Sequence, residues 1–289
     1  MTGADRDPDS DPDTDIDTDT SAGVDTDVGA LDRIEFVARS PARARMLDAL
    51  RDAERLTRAD LRARLEASRT TVGRNLEALC ERGLVATVGT DYTLTRAGEL
   101  IATDLLDLAG TIEIARKLEP FLQWVPDGAL DIDLREFADA EVLVAKPGDP
   151  RSMINQHVKC LQSMNRCRGF LPFTGLHAQE AAHEQVTDHG ARSELILTPE
   201  TVDVHFSDPN YAPLTEEMVE TGRFEYFRYD GDFPYALAVI DDLVQIVVAD
   251  GDQPCTMVES DAAPVREWAE EKYESYKRQS EPIPMQARS

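Results

Sequence analysis

The chain has 289 residues, of which 42% are hydrophobic, and it carries a formal net charge of −26 at pH 7. Its length accommodates two domains and its hydrophobic content supports folded cores, which excludes a wholly disordered protein. A net charge of this sign disfavours binding to DNA, because two polyanions repel each other. One segment escapes this conclusion: residues 31–100 have a net charge of +2, whereas residues 1–30 and 101–289 have net charges of −9 and −19.

The acidic residues are spread through the chain, and Arg outnumbers Lys 25 to 5. This composition resembles that of proteins from salt-accumulating halophiles, where carboxylates keep proteins soluble; an ordinary acidic protein is the alternative. Neither a run of about 18 apolar residues nor a basic-then-apolar signal sequence is present, so we expect a cytoplasmic protein without membrane contact. The four cysteines form no CxxC pair and are expected to be reduced thiols.

Residues 1–29 are rich in Asp, lack aromatic residues and show no apolar periodicity. Such a segment cannot bury enough apolar surface to fold, so it is predicted to be a disordered acidic tail. An EF-type calcium loop starting at Asp13 is excluded, because Thr18 and Val24 stand where Gly and Glu are needed.

A pair of short helices is predicted between Leu56 and Gly83. Leu56, Leu61 and Leu65 form one apolar stripe, and a second stripe repeats at i, i+4 and i+7 in Val72, Leu76 and Leu79. Ser and Thr side chains cap helix N-termini, which assigns Thr57 and Ser68 as the caps, and glycine ends the second helix. An earlier helix begins at Leu31, and another restarts at Ser40-Pro41.

The side of the second helix that faces away from its apolar stripe carries side chains that hydrogen-bond phosphates and base edges. Arg69 and Arg74 suit guanine or phosphate, and Asn75 suits adenine. A helix N-terminus with hydroxyl side chains suits a backbone phosphate. The predicted DNA-binding residues are Ser68, Arg69, Thr70, Thr71, Arg74 and Asn75 on this helix, with Arg43 and Arg58 as phosphate contacts near other helix N-termini.

Gly73 lies within this helix, where glycine costs about 1 kcal/mol relative to alanine. Close approach of the helix to the wall of a DNA groove is the expected reason for its presence. Glu77 and Glu81 repel phosphates, so contacts are expected in the first two turns of the helix.

Two short strands, residues 84–88 and 92–95, follow around a polar turn and predict a hairpin. The hairpin tip carries Asp91 and no basic residue, so little contact with the minor groove is expected from it. Thr95 then caps a long helix over 96–119, which Pro120 is expected to end. This order of elements predicts a winged helix-turn-helix over 30–98 and a connector helix over 99–124.

The residues of this first domain also resemble the archaeal winged-helix regulators. The resemblance lies in SPARARMLDAL and in LTRADLRARLEASRTTVGRNLEALCERGLVATVGTDYTLTRAGEL, over about 60 residues. The positions that match the pattern are Ser40, Arg43, Arg69, Thr71, Val72, Arg74, Leu76, Tyr92, Leu94, Thr95 and Gly98. The resemblance implies a regulator that binds double-stranded DNA.

Residues 125–280 alternate strand-like and helix-like stretches, with βα crossovers first and a strand meander later, and residues 281–289 are predicted to be a tail. This order predicts an α/β domain with a mixed sheet, and so an α+β fold class for the whole chain. The segments GFLPFTG, SELILT and FPYALAVIDD and the Trp268-containing last helix resemble the sensor domain of the methanogenesis regulatory protein family.

Two small-molecule sites are considered in this second domain. Lys159, Arg166 and Arg168, near a turn expected at 169–172, suit an anionic effector, and ordinary ion pairs are the alternative. His157, Cys160, Met164 and Cys167 suit a soft metal, and packing of thiols on an apolar helix face is the alternative.

No nucleotide-binding, metalloprotease or serine-hydrolase motif occurs, and no cofactor, metal or catalytic residue is predicted. His157-Val158-Lys159 begins like the H-x-K-x4-D motif of phospholipase-type enzymes, but Met164 stands at the Asp position and no second copy exists. The sequence therefore predicts a homodimeric, non-enzymatic transcriptional regulator with an effector-binding domain. A protein-interaction adaptor and a metal-responsive regulator are the alternatives.

Overall fold

The computed structural model describes residues 28–145, 148, 152–251 and 253–284. The chain divides into two compact units, Met1–Leu106 and Asp107–Ser289. The predicted acidic tail lies outside the described residues except for Val28 and Gly29, which begin the first helix. No helix in the described ranges is long and apolar enough to cross a membrane.

The first unit combines helices with a small antiparallel sheet. Its helices are α1 (Val28–Ala38), α2 (Pro41–Asp52), α3 (Arg58–Leu65) and α4 (Arg69–Glu81), and its strands are β1 (Leu56–Thr57), β2 (Val85–Val88) and β3 (Asp91–Leu94). The strands form an antiparallel sheet in the order β1-β3-β2. Leu56 pairs with Tyr92 in this sheet, so its expected place on the α3 stripe is wrong.

The helix boundaries follow from local capping. The Thr57 side chain accepts a hydrogen bond from the Asp60 backbone N–H, and the Asp60 side chain accepts one from the Thr57 backbone N–H. Together these two hydrogen bonds form a capping box. The Ser68 side chain accepts from the Thr71 backbone N–H at the start of α4. Gly83, with φ of 69°, follows α4 in the left-handed region that favours glycine.

The core of the first unit is built on the predicted apolar stripes, and Val72, Leu76 and Leu79 of α4 are fully buried in it. Helix α5 (Arg96–Leu122) then begins with Gly98 against the backbone of Leu84. A Cβ atom on Gly98 would lie 1.8 Å from the Leu84 carbonyl oxygen. Only glycine therefore allows this approach.

We predict that Gly98→Ala destabilises the first unit and that Gly110→Ala, in the same helix, stabilises the protein. A Cβ on Gly110 meets nothing within 4 Å, so that variant only gains helix propensity of about 1 kcal/mol. Thermal unfolding by circular dichroism compares the two. A Gly98→Ala protein that melts at or above the wild-type temperature contradicts the packing described here.

Helix α5 continues to Leu122, so Pro120 lies inside its last turn instead of ending it. A proline near a helix C-terminus removes one backbone hydrogen bond. Leu118 and Phe121, both about 1% exposed, are packed in the core of the second unit and hold this turn in place.

The second unit contains an eight-stranded mixed sheet. Its strands are β4 (Glu141–Val144), β5 (Arg166–Leu171), β6 (Arg192–Leu197), β7 (Phe224–Arg228), β8 (Ala236–Ile240), β9 (Leu243–Asp250), β10 (Gln253–Ser260) and β11 (Glu281–Pro282), in the order β11-β7-β6-β5-β8-β9-β10-β4. Strands β5, β6 and β7 are parallel, and β8, β9 and β10 form an antiparallel meander. The predicted α+β fold class is confirmed.

Helices cover both faces of this sheet. Helices α6 (Ser152–Leu161), α7 (Leu176–Thr187), α8 (Pro199–Ser207) and α9 (Ala212–Glu220) contribute to a core on one face. Helix α10 (Ala263–Lys277), a 3₁₀ turn (Leu134–Phe137) and the end of α5 contribute to a second core on the other face.

Two expectations for this unit are wrong. The turn expected at 169–172 is mostly strand β5, in which Gly169 allows close pairing, since a Cβ there would lie 2.3 Å from the Leu237 carbonyl oxygen. The expected tail at 281–289 begins with β11, which pairs with β7; residues 285–289 lie outside the described residues.

Candidate nucleic-acid interface and ligand cavity

The outward side of α4 is polar and exposed. Ser68, Arg69, Thr70 and Arg74 are exposed, and Thr71 is half-buried. The Ser68 and Thr71 hydroxyls lie 2.9 Å apart within the N-terminal cap. Thr70 and Arg74 thus project from the side of the helix opposite the core, and Arg69 is exposed at the start of the helix.

Asn75 does not belong to this exposed side. It is only 3% exposed, and its Oδ1 accepts from Arg43 Nε at 3.1 Å and from Ser40 Oγ at 3.4 Å. Its Nδ2 donates to the Thr71 carbonyl oxygen at 2.9 Å. Because both ends of the amide are occupied inside the fold, the expected contact of Asn75 with adenine is corrected to a structural role.

Arg43 of α2 is half-buried and contacts both α1 and α4. Its guanidinium lies 4.0 Å from the centre of the Phe36 ring, and Arg82 lies 3.6 Å from the same ring. Burial lowers the pKa of Arg43, and the nearby positive charges of Arg82 and Arg74 lower it further. Arg82 is exposed and joins this basic cluster, which sequence reasoning missed because Arg82 lies beyond the predicted contact turns.

Arg58, the first residue of α3, lies near the β2–β3 hairpin and near α4. Its Nη2 donates to the Tyr92 hydroxyl at 2.9 Å. A Cβ on Gly73 would lie 3.7 Å from Arg58 Nη1, an ordinary contact distance. Gly73 is itself buried, so the expected approach of its backbone to a DNA groove is wrong. Space alone would admit alanine at this position.

The tip of the hairpin between β2 and β3 is acidic and polar. Gly89 has a positive φ of 65°, and the Thr90 hydroxyl donates to Asp91 Oδ1 at 3.1 Å. This tip offers no positive charge to a phosphate, since residues 87–92 contain neither Lys nor Arg.

We predict that Asn75→Ala lowers the free energy of unfolding by about 1–3 kcal/mol, because Arg43 loses a buried acceptor. Thr70→Ala, at an exposed position on the same helix, is the control and should change stability by less than about 0.5 kcal/mol. Urea titration followed by circular dichroism measures both. Equal stability of the two variants would remove the structural role given to Asn75.

The three basic residues expected to bind an anion do not form one site. Arg166 and Arg168 alternate along β5 with residues of the other face, and both lie near Glu194, at 3.7 and 3.4 Å. Arg168 also lies 3.6 Å from Glu274 of α10. Lys159 is exposed on α6, which covers the opposite face of the sheet. Arg166 and Arg168 therefore form ion pairs, which is the alternative that the sequence analysis gives to an anion-binding site.

A cavity of about 180 Å³ lies instead between α6, α7 and the sheet. Its wall includes Leu171, Phe173, Thr174 and Gly175 from the GFLPFTG segment. A smaller cavity of about 40 Å³ shares His157, Leu171, Thr174, Ala178 and Ala238 with it. The sequence signal for this site was the GFLPFTG segment itself, which carries apolar and hydroxyl residues past the end of a central strand.

His157 belongs to a polar network at the wall of the cavity. His157 Nδ1 lies 2.6 Å from Gln245 Oε1, and Gln245 Nε2 donates to Glu259 and lies 3.4 Å from Cys160 Sγ. Burial lowers the pKa of His157. Burial also raises the pKa of the Cys167 thiol to about 12. Among the described residues, no three His, Cys, Asp or Glu side chains converge as metal ligands.

Two family models match the chain. Residues 31–117 match the HVO_A0261 N-terminal domain, and residues 150–279 match the middle domain of the methanogenesis regulatory protein FilR1. Both resemblances stated from the sequence are confirmed. No curated protein sequence matches the chain.

Several solved structures are similar at low TM-scores. TrmBL2, an archaeal chromatin protein, is 15% identical over 87% of this chain and 99% of its own, with a TM-score of 0.39. NucT from Helicobacter pylori is 14% identical over 50% of this chain and 98% of its own, with a TM-score of 0.38. The phospholipase D family member Nuc from Salmonella typhimurium is 13% identical over 50% of this chain and 99% of its own, with a TM-score of 0.39. Likenesses at these TM-scores do not bear on function.

Proposed function

We propose that this chain, which joins an HVO_A0261 N-terminal domain to a FilR1 middle domain, is a transcriptional regulator that binds double-stranded DNA. The proposal rests on the difference between the two sides of α4. One side is fully buried through Val72, Leu76 and Leu79, while Thr70 and Arg74 project from the other and Arg69 is exposed as the first residue of the helix. The segment that contains α4 is also the part of the chain that is not acidic.

In this proposal α4 lies in the major groove. Arg69 and Arg74 bind guanine edges or phosphates, and Thr70 binds a phosphate near the helix N-terminus. The Ser68 and Thr71 side chains hold the N-terminal cap of α4 in place. The backbone N–H groups of the first turn then face the phosphate. Arg43 positions α4 through Asn75, Arg58 binds Tyr92 of β3, and both reach phosphates only at the edge of the interface. Glu77, exposed in the third turn, limits contact to the start of the helix.

We predict that the double variant Arg69→Ala/Arg74→Ala loses at least about 30-fold in affinity for promoter DNA, since each substitution removes a contact worth about 1–3 kcal/mol and about 1.4 kcal/mol is tenfold in affinity. Its melting temperature should be unchanged, because both side chains are exposed. Fluorescence anisotropy with DNA from the chain's own upstream region, at fixed salt, measures the loss.

Arg51→Ala/Arg55→Ala is the charge-matched control, since it removes two exposed positive charges outside α4. It should keep the wild-type affinity within about threefold. If Arg69→Ala/Arg74→Ala also keeps that affinity, the DNA interface is wrong, and the winged helix is better explained as a protein-binding module of an adaptor.

We further propose that the regulator is a homodimer joined along α5. Ile101, Leu105, Leu108 and Ile112 repeat with the 4-3-4 spacing of a coiled-coil seam, although Ile101 and Leu105 are partly covered by the core of the first unit. Leu108 and Ile112 are 48% and 51% exposed, although large apolar side chains in a series are normally covered. A dimer would place two copies of α4 on half-sites about 34 Å apart.

We predict that Leu108→Asp/Ile112→Asp converts the dimer to a monomer, because the charges would face each other across the seam. Gly110→Asp adds a charge on the side of α5 that faces away from the seam, where a Cβ meets nothing within 4 Å, and should leave the dimer intact. Light scattering at several protein concentrations measures the mass. A wild-type protein that is monomeric with and without DNA would exclude this assembly.

The C-terminal unit is proposed to sense an effector, since it matches a domain of a regulatory protein and contains a cavity. Helix α5 is the connector in this proposal, because it extends without interruption from the winged helix to the core of the second unit. A ligand that changes the position of the end of α5 would change the spacing of the two copies of α4.

A further inference from the structure

The part of the cavity wall that the structure describes in the C-terminal unit is apolar and uncharged. Of the described residues that line it, none is Lys, Arg, Asp or Glu, and most are Met, Ile, Leu, Phe, Ala, Val or Pro. An anionic ligand would lose its hydration here without gaining a cation, which makes its burial costly. Glu259, buried behind Gln245, adds a carboxylate near this wall and disfavours anions further.

The polar network fixes the hydrogen-bonding role of His157. A carboxylate only accepts, so Gln156 Nε2 and Gln245 Nε2 both donate to Glu259, the former at 3.0 Å. This orients the Gln245 amide with its Oε1 towards His157. His157 Nδ1 lies 2.6 Å from that oxygen and must be the donor. In a neutral imidazole the other nitrogen, Nε2, is then an acceptor.

His157 Nε2 has no hydrogen-bond partner among the described residues, and it is not among their buried unsatisfied atoms. His157 also lines both the larger and the smaller cavity. An imidazole whose Nδ1 is fixed by a buried network therefore presents a free acceptor at an apolar wall. A well-formed apolar pocket with one oriented polar group is typical of a small-molecule site.

We propose that this cavity binds a neutral, mostly apolar molecule with one hydroxyl or N–H group that donates to His157 Nε2. Dry apolar cavities of about 150 Å³ accept benzene-sized molecules, so a cavity of this size accepts a single ring with a short substituent, roughly ten non-hydrogen atoms. That this molecule is the effector rests on the proposed regulatory function; that the cavity binds it does not.

The experiment compares three probes on the full-length protein without DNA, by isothermal titration calorimetry. 4-Propylphenol carries the donor, 1-fluoro-4-propylbenzene has nearly the same shape without it, and 3-phenylpropionate is an anion. We expect the phenol to bind about tenfold more tightly than the fluoro compound, which is the usual range for one hydrogen bond. The anion should bind most weakly.

Two variants locate the site. His157→Leu removes the Nε2 acceptor together with the Nδ1 donor to Gln245, and it should bring the phenol down to the affinity of the fluoro compound. Ala178→Leu, which adds carbon atoms to the wall of both cavities, should weaken the phenol and the fluoro compound together. The preference of the wild-type protein for the phenol tests the acceptor even if a variant does not fold.

Absence of binding by all three probes, equal affinity for the phenol and the fluoro compound, or tighter binding of the anion each overturns the proposal. The Arg69→Ala/Arg74→Ala variant should bind the phenol like the wild type, since its cavity is unchanged. Failure of the DNA interface and failure of the cavity assignment are therefore seen in separate measurements.

Discussion

The burial of one side of α4 is the constraint on which the candidate DNA interface depends. Val72, Leu76 and Leu79 are fully buried, which fixes the rotation of the helix about its axis. At 100° per residue, that rotation points Thr70 and Arg74 away from the core, whereas Arg69 lies about 60° from Val72 and is exposed because it is the first residue of the helix. The capping of α4 by Ser68 and the Asn75 amide then fix where the helix starts and how it lies against α2. Chemistry on the outer side is thus a consequence of packing on the inner side.

The first unit was largely predictable because its signals are local. Stripes at helical spacing, Ser and Thr caps and a glycine after α4 each follow from neighbouring residues, and they fixed the helices and the hairpin. Asn75 was not predictable, because it lies at the edge of the stripe. Its burial depends on Arg43, 32 residues earlier, which supplies a donor to its side-chain oxygen. A polar residue at such an edge is buried only if a distant partner satisfies it.

The second unit was predicted in class but not in its site. The alternation of helix-like and strand-like segments predicts the mixed sheet. It does not predict that β5 continues through 169–171, where a turn is expected, because Arg166, Arg168 and Gly169 weaken the apolar pattern. Successive side chains of β5 point to opposite faces of the sheet. Arg168 therefore lies on the other face from the residues next to it in sequence. The cavity is lined by residues of α6, α7, β8, β9 and β10. The GFLPFTG segment marks only one part of this wall, and a wall assembled from so many elements is not predictable from any one of them.

The acidity of the chain connects the two proposed sites. At the molar salt to which such a composition is suited, charges are screened over about 3 Å, so neither DNA nor a ligand is attracted from a distance. Recognition must then come from contacts at hydrogen-bond range and from excluded water. Arg69 and Arg74 meet this requirement because a rigid helix presents them, and His157 meets it because Gln245 and Glu259 fix its ring. A neutral ligand adds no charge to be screened, so its affinity is set by shape and by one oriented acceptor, and salt can only strengthen its burial.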